Sequence, residues 1–463
     1  MRENVKLPEA FCIRMQKLLG AEWKEFLDSY NNNRYYGLRM NPLKTSSEEF
    51  LERMPYTLEK VSWAREGFYY QEEEQPGRDV LHEIGAYYIQ EPSAMAVVEI
   101  LDPKPGERVL DLCAAPGGKS TQIAGRLNGE GFLVANEVIS NRARILSQNI
   151  ERMGIKNCVV CNESPERMAK LFPGYFDRIV VDAPCSGEGM FRKDETAIEQ
   201  WSVEHVQMCA DRQQTILDEA AKMLKPGGVL VYSTCTFAPD ENEGAVSRFV
   251  QEHEDFMIEE TIHDAAFAPG RADWTRNPAP GLEYTMRLWP HRVKGEGHYI
   301  ARLRRMGTSV IRNKSGKIDT HPRAAKREGT LQDFLSKELG MAPGWLEEQH
   351  SKVQLFGEQI YLVPEEMIPM QGMKVIRPGL HLATEKKNRL EPSHSLALAL
   401  KVAETDKVME VSREDAVRYL HGESLSCGLQ KGWTLLCFQG YPLGFGKAAG
   451  GQMKNHYPKG LRK

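Results

Sequence analysis

The sequence predicts an α/β protein whose central piece is a doubly wound parallel sheet with helices on both faces. Apolar strand-like runs alternate with helical stretches from about residue 81 to residue 305, the order that parallel crossovers require. Runs such as Val109-Leu110-Asp111-Leu112, Cys158-Val159-Val160-Cys161 and Ile179-Val180-Val181 are near-continuous rather than alternating, as in strands buried on both faces. Two runs end in acid or thiol followed by loop residues, Asp182-Ala183-Pro184-Cys185 and Ser233-Thr234-Cys235. Carboxyl ends of strands are where open α/β sheets bind ligands.

The totals set limits. At 463 residues the chain exceeds one core, so several domains are expected. It has no apolar run of membrane-spanning length, and MRENVKLPEA does not read as a signal peptide. Nine scattered cysteines suit free thiols in a reducing compartment, so a cytoplasmic protein is expected. The net charge of −4 is uneven: Arg302 to Arg327 holds nine Lys/Arg against one acid, and Gln371 to Lys463 holds fifteen against eight. A basic linker and tail on an acidic body suit a polyanion partner.

In chain order, residues 1–80 read as a small α+β module. Helical spacing runs through Phe11, Met15, Leu18 and Leu19, then Trp23, Phe26 and Leu27, before the aromatic, basic strand-like stretch Arg34 to Pro42. Aromatic faces beside Arg suit stacking on unpaired bases, although packing on their own core is the commoner fate. Within 81–305, strands are expected at Val109–Leu112, Phe132–Ala135, Cys158–Cys161, Ile179–Val181, Val229–Tyr232, Phe256–Glu259 and His298–Arg302. Helices are expected from Ser120 to Leu127, Asn141 to Met153, His205 to Leu224 and Glu241 to Val250. Residues 306–330 read as a basic linker and 331–380 as a small α/β piece. That piece opens on the helical stripe Leu331, Phe334, Leu335 and Leu339, and a β-barrel-like piece follows over 381–463.

The loop Asp111-Leu112-Cys113-Ala114-Ala115-Pro116-Gly117-Gly118-Lys119-Ser120 brings glycine backbone to a helix N-terminus, a place for a ligand. A phosphate-binding P-loop is excluded because position 113 is Cys where that pattern needs Gly, and no GxGxxG occurs. A nucleoside cofactor without pyrophosphate remains, with Glu137 at the end of the second strand placed for ribose hydroxyls. Cys185 and Cys235 end neighbouring strands, so two thiols can face one pocket, and either can be a nucleophile. Cys158-x-x-Cys161 lacks a second pair at zinc spacing, so no metal is expected.

The segments DLCAAPGGKSTQ, ANE, DAPCSGEGMFRKD and YSTCTFAPDENE, with YYIQEPSAM before them, resemble the NOL1/NOP2/Sun family of RNA cytosine-C5 methyltransferases. The tail, Phe445-Gly446-Lys447 and KNHYPKGLR at Lys454 to Arg462, is similar to the family's bacterial RsmF-like branch. That resemblance implies a class I (Rossmann-like) methyltransferase sheet over 81–305, an N-terminal RNA-binding module over 1–80 and a PUA-like domain over 381–463. It implies S-adenosylmethionine as cofactor. The segment Cys113 to Lys119 would line its methionine end, Glu137 would hold its ribose, Arg142 would be a further cofactor contact, and Asp182 would lie by cofactor and base.

Where the family carries Asn-His-Asp-Gly after the third strand, this chain has Asn162-Glu163-Ser164-Pro165. Ser164 thus stands where an Asp would meet adenine, and backbone groups or Glu163 are its expected substitutes. The resemblance further implies that Cys235 attacks the base and Cys185 assists release, with Lys193 a candidate for lowering a thiol pKa. The implied partner is RNA rather than DNA or membrane: small-subunit (16S) ribosomal RNA, free or in an assembling 30S subunit, bound by a monomer. A transfer RNA substrate and a non-catalytic assembly factor are the alternatives.

Overall fold

The apolar runs form the middle of one ten-stranded sheet. Strands β1 (Arg108–Asp111), β2 (Phe132–Asn136), β3 (Cys158–Cys161), β4 (Phe176–Asp182) and β5 (Leu224–Thr234) are parallel, in the order β5-β4-β1-β2-β3. The order reverses between β1 and β4, so the crevice at their carboxyl ends, by Asp111 and Asp182, is the switch point of the sheet. The expected all-parallel sheet gains antiparallel strands at both edges. Beyond β5 lies β6 (His298–Arg305), paired with Met286–Leu288 and with Phe256–Ile258. At the far edge Val375–Arg377 pairs antiparallel with β3.

The computed structural model describes residues 6–308, 322–387 and 389–462. Arg312, Lys314 and Lys317 of the expected basic linker lie outside the described residues. The end of that linker is part of a helix, Pro322–Asp333; Ala324, Ala325, Lys326 and Arg327 are strong helix formers. No helix among the described residues is long and apolar enough to cross a membrane.

Alternation along each strand feeds two cores. Leu110, Val134, Val159, Ile179 and Leu230 meet the helices Val203–Met223 and Glu243–Glu252 on one face. Val109, Leu133, Val160, Val180 and Val231 meet Pro92–Leu101, Gly118–Leu127 and Ser140–Arg152 on the other. The helix Pro92–Leu101 starts at Pro92, whose missing N–H costs nothing there. Glu91 caps it by accepting from the N–H groups of Ser93 and Ala94 at 3.0 and 2.8 Å.

The flanking pieces are less separate than the sequence suggests. A four-stranded N-terminal sheet (order Glu59–Lys60, Gly67–Tyr70, Tyr36–Met40, Tyr87–Ile89) runs past residue 80. A second four-stranded sheet, including Leu380–Lys386, crosses the expected division at 380/381. A five-stranded sheet built from Val408 to Asn455 closes the chain. Leu38, Phe50, Phe68 and Tyr87 of the N-terminal piece share one core with Tyr419, Leu436, Tyr441 and Met453 of the C-terminal piece. Apolar faces of small sheets are buried against whatever lies beside them, and here that is the opposite end of the chain.

Arg39 ties the N-terminal sheet to the glycine loop. It is 1% exposed, and its guanidinium donates to Gln90 Oε1 (2.9 Å), the Gly118 carbonyl (3.0 Å) and Thr121 Oγ1 (2.7 Å). Part of the aromatic-basic stretch is thus structural. Arg39→Ala strands these buried acceptors and is expected to cost roughly 3 kcal/mol. Urea unfolding of the full chain checks this, and an unchanged midpoint would show that the acceptors re-pair.

Candidate active site

Cys185 and Cys235 come together at the carboxyl ends of β4 and β5, their sulfurs 3.3 Å apart and both free. Two buried carboxylates hold the loops that carry them. Glu241 accepts from the Ser186 N–H (3.0 Å), from the Ser186 hydroxyl and from Gln213 Nε2 (2.8 Å). Gln213 also donates to the Pro184 carbonyl at 3.0 Å, and Ser186 Oγ meets Thr236 Oγ1 at 2.8 Å. Glu188 takes Arg14 (2.5 Å) and Trp201 Nε1 (2.9 Å) on one oxygen and the Phe237 N–H (3.1 Å) on the other. Gly189 N–H donates to the Cys235 carbonyl at 2.8 Å, and a Cβ there would sit 2.9 Å from that oxygen. None of these clamps was named from the sequence as a site residue; Glu241 lies in the quoted segment YSTCTFAPDENE and Glu188 in DAPCSGEGMFRKD, which are the signals available.

Asp182, ending β4, accepts from Lys119 Nζ at 2.6 Å and from Ser233 Oγ at 2.8 Å, with His298 Nε2 3.6 Å away. Burial alone would raise its carboxyl, but Lys119 and His298 hold it well below the usual carboxylate range. Asp182 is therefore ionised. Burial opposes the Lys119 charge, yet Asp182 more than offsets this and raises the ammonium. Lys119 also acts on Cys235 through its charge. The expected helper Lys193 is exposed and does not line the cleft, and its neighbour Arg192 pairs with Glu296 at 2.7 Å. Contact with the Cys235 sulfur, then burial, push the Cys185 thiol up, so Cys185 keeps its proton.

These groups open onto a cleft of about 640 Å³. Of the expected cofactor residues, Cys113, Ala115, Glu137, Arg142 and Asp182 line it; Ala114, Pro116, Gly117 and Gly118 form the turn behind. Burial pushes the Cys113 thiol up. Glu137 is fixed by the Ile139 N–H (2.9 Å) and Arg142 (3.5 Å), and Arg142 donates to the Ala115 carbonyl at 2.8 Å. Val138 and Ile139 stand 58% and 51% exposed on the same wall, apolar surface that a nucleoside base would cover. A buried carboxylate beside bare apolar surface fits a nucleoside cofactor.

Ser164 differs from its expected role. Its hydroxyl caps the helix Pro165–Leu171 by accepting from the Arg167 N–H at 3.4 Å, and the residue does not line the cleft. Glu163, the expected substitute, is turned away, accepting from the Lys374 N–H at 2.7 Å. Pro165 and Glu166 face the cleft instead.

Burial pushes Asp111 and Glu241 up to about 7. Between their ordinary values and pH 7 the folded chain keeps protons that the unfolded chain releases, so these groups make stability fall as pH rises through that window. Glu241→Gln is expected to flatten the slope of stability against pH between about pH 5 and 7. Denaturant midpoints read across that range check it.

A family model described as 16S rRNA methyltransferase RsmB/F matches residues 98–304. Three models of the RsmF methyltransferase match the rest: its N-terminal domain at 7–92, first C-terminal domain at 334–400 and PUA domain at 406–463. The ribosomal RNA small subunit methyltransferase F of Vibrio parahaemolyticus is 33% identical over 484 residues, covering 100% of this chain and 98% of that protein. Its namesake in Aeromonas hydrophila is 33% identical with the same coverage. A solved methyltransferase homologue from Pyrococcus horikoshii is 28% identical, with a TM-score of 0.57 over 65% of this chain and 96% of that one. NSun6 from the same organism, solved with SFG, shares the fold at 22% identity and a TM-score of 0.56 over 66% of this chain and 100% of that one. The ten-stranded sheet is thus a Rossmann-like, S-adenosylmethionine-dependent methyltransferase sheet, and the chain belongs to the RsmB/F family of rRNA methyltransferases.

Proposed function

We propose that this chain transfers a methyl group to C5 of cytosine in small-subunit (16S) ribosomal RNA through a covalent bond between Cys235 and C6 of the base. The observation that carries this is the pair of thiols 3.3 Å apart beside an ionised Asp182–Lys119 pair at the mouth of the nucleoside cleft. C5 of cytosine is a poor nucleophile until a thiolate adds to C6. The Lys119 ammonium, held on Asp182 at 2.6 Å, is a positive charge placed to stabilise negative charge that develops on the ring. S-adenosylmethionine, when bound, supplies an electrophilic methyl on its sulfonium; Glu137 and Arg142 would hold it at the ribose and Cys113 and Ala115 would line its methionine end. C5 would then give up its proton to solvent, and the C5–C6 double bond would re-form as the Cys235 sulfur departs. Cys185, which keeps its proton, is positioned to hydrogen-bond the leaving sulfur.

The catalytic work falls to about 81–305 and the flanking pieces grip the RNA. The target base is unpaired or extruded, since the thiols lie in a cleft that a base inside a duplex does not reach. The chain acts as a cytoplasmic monomer on free rRNA or on an assembling 30S subunit.

Cys235→Ala is expected to abolish methyl transfer, and Cys185→Ala to accumulate an RNA adduct that survives SDS electrophoresis. A stable adduct in Cys235→Ala would reverse the two roles. Bisulfite sequencing of 16S rRNA from cells with and without the protein tests the substrate: a protected cytosine present only with the protein is expected, and protection found only in transfer RNA would sink the rRNA reading.

A further inference from the structure

The aromatic stretch flagged in the sequence has a second half that the catalytic centre leaves unused. Tyr35, Tyr36, Tyr69 and Tyr70 line an open cleft of about 640 Å³ on the N-terminal sheet, with Arg34 and Lys294 among its other walls. Tyr36 and Tyr70 are cross-strand partners with ring centroids 5.7 Å apart, and Tyr35 and Tyr69 rings are 6.2 Å apart. Arg34 lies 5.4 Å from the Tyr36 ring and Lys294 5.4 Å from the Tyr69 ring. Tyr35 is 37% exposed. The groove continues past Tyr36 and Tyr70 into a depression of about 320 Å³ that ends near Arg78.

The cleft adjoins the reacting centre. Lys294 forms its wall, Glu296 pairs with both Arg192 (2.7 Å) and Arg34 (3.9 Å), and His298 lies 3.6 Å from Asp182. Four residues of chain span at most roughly 14 Å, so the cleft is within reach of a nucleotide next to the target base. The segment between is pinned: Glu91 accepts from the Glu296 N–H at 2.8 Å, and Ser93 Oγ from the Gly297 N–H at 3.2 Å.

We infer that this tyrosine cleft holds unpaired RNA flanking the target cytosine, a base stacked on the tyrosines and its phosphate on Arg34 and Lys294. The inference rests on the RNA reading above. Stacking platforms rimmed by cations are how single strands are gripped. The acids on the walls do not repel the strand wholesale. Of the three wall acids, Glu59 is engaged by Lys294 at 2.6 Å and Glu72 by the Tyr36 hydroxyl at 2.5 Å, and Glu73 is the third. Carboxylates there also suit the amino groups of base edges better than they suit a protein's acidic surface.

The test uses full-length wild-type, Tyr35→Ala, Tyr35→Trp and Lys294→Gln proteins with an unstructured oligonucleotide of 16S sequence that the wild type methylates. Tyr35→Ala is expected to raise the KM for RNA roughly 5- to 50-fold, with S-adenosylhomocysteine affinity unchanged and Tyr35→Trp restoring binding. Lys294→Gln is expected to reduce the slope of log affinity against log salt by about 0.7. Unchanged RNA affinity and salt slope in both variants, with a wild type that methylates RNA, would overturn the cleft and leave the proposed function standing. Loss of affinity for assembled 30S subunits but not for naked RNA would assign the cleft to a protein partner and overturn it. A wild-type chain that methylates no RNA would overturn both.

Discussion

Two sulfurs at 3.3 Å on separate loops are the constraint around which the catalytic end of the sheet is built. One loop follows β4 and the other β5, and each is tied to the other through Glu241 and Glu188. Burying two carboxylates is unfavourable unless every oxygen is met by donors. Here the donors come from both loops, from Gln213 on the long helix and from Arg14 and Trp201. The same interactions that make the carboxylates tolerable fix the spacing of the thiols. Contact with the Cys235 sulfur and burial keep Cys185 protonated, and Lys119 sets a positive charge at Asp182 beside the pair.

The flanking pieces belong to this arrangement. The first helices lay Phe11 and Phe26 against Phe191 and Phe237, with ring centroids 5.2 and 5.3 Å apart, so the loops after Cys185 and Cys235 are backed by residues from the start of the chain. Arg39 braces the glycine loop from the N-terminal sheet. That sheet in turn shares a core with the C-terminal strands. An aromatic or cationic change far from the thiols is therefore felt at them through packed, directional contacts.

Much of this was legible in the sequence because strands buried on both faces leave near-continuous apolar runs. β1 to β5 fall on the expected segments, within a few residues at their ends. Both thiols, Asp182 and Glu137 stood out because each ends such a run. What escaped depends on contacts between distant residues, which leave no local pattern. Lys119 reaches Asp182 because β1 and β4 are neighbours in the sheet. Glu163 is claimed by the backbone of Lys374, 211 residues away. Arg39 reads as a surface cation in an aromatic stretch, and only the three acceptors around it explain its burial.

Val375–Arg377 completes the catalytic sheet by covering the edge of β3. An uncovered edge strand offers a row of unpaired amide and carbonyl groups to any other chain. Synthesis runs from the N-terminus, and domains fold as they emerge, so β1 to β6 are all available some seventy residues before their last partner exists. During that interval the growing protein carries an open, apolar edge beside its future cofactor cleft. The methyltransferase sheet is thus finished by a segment that belongs to the C-terminal part of the chain.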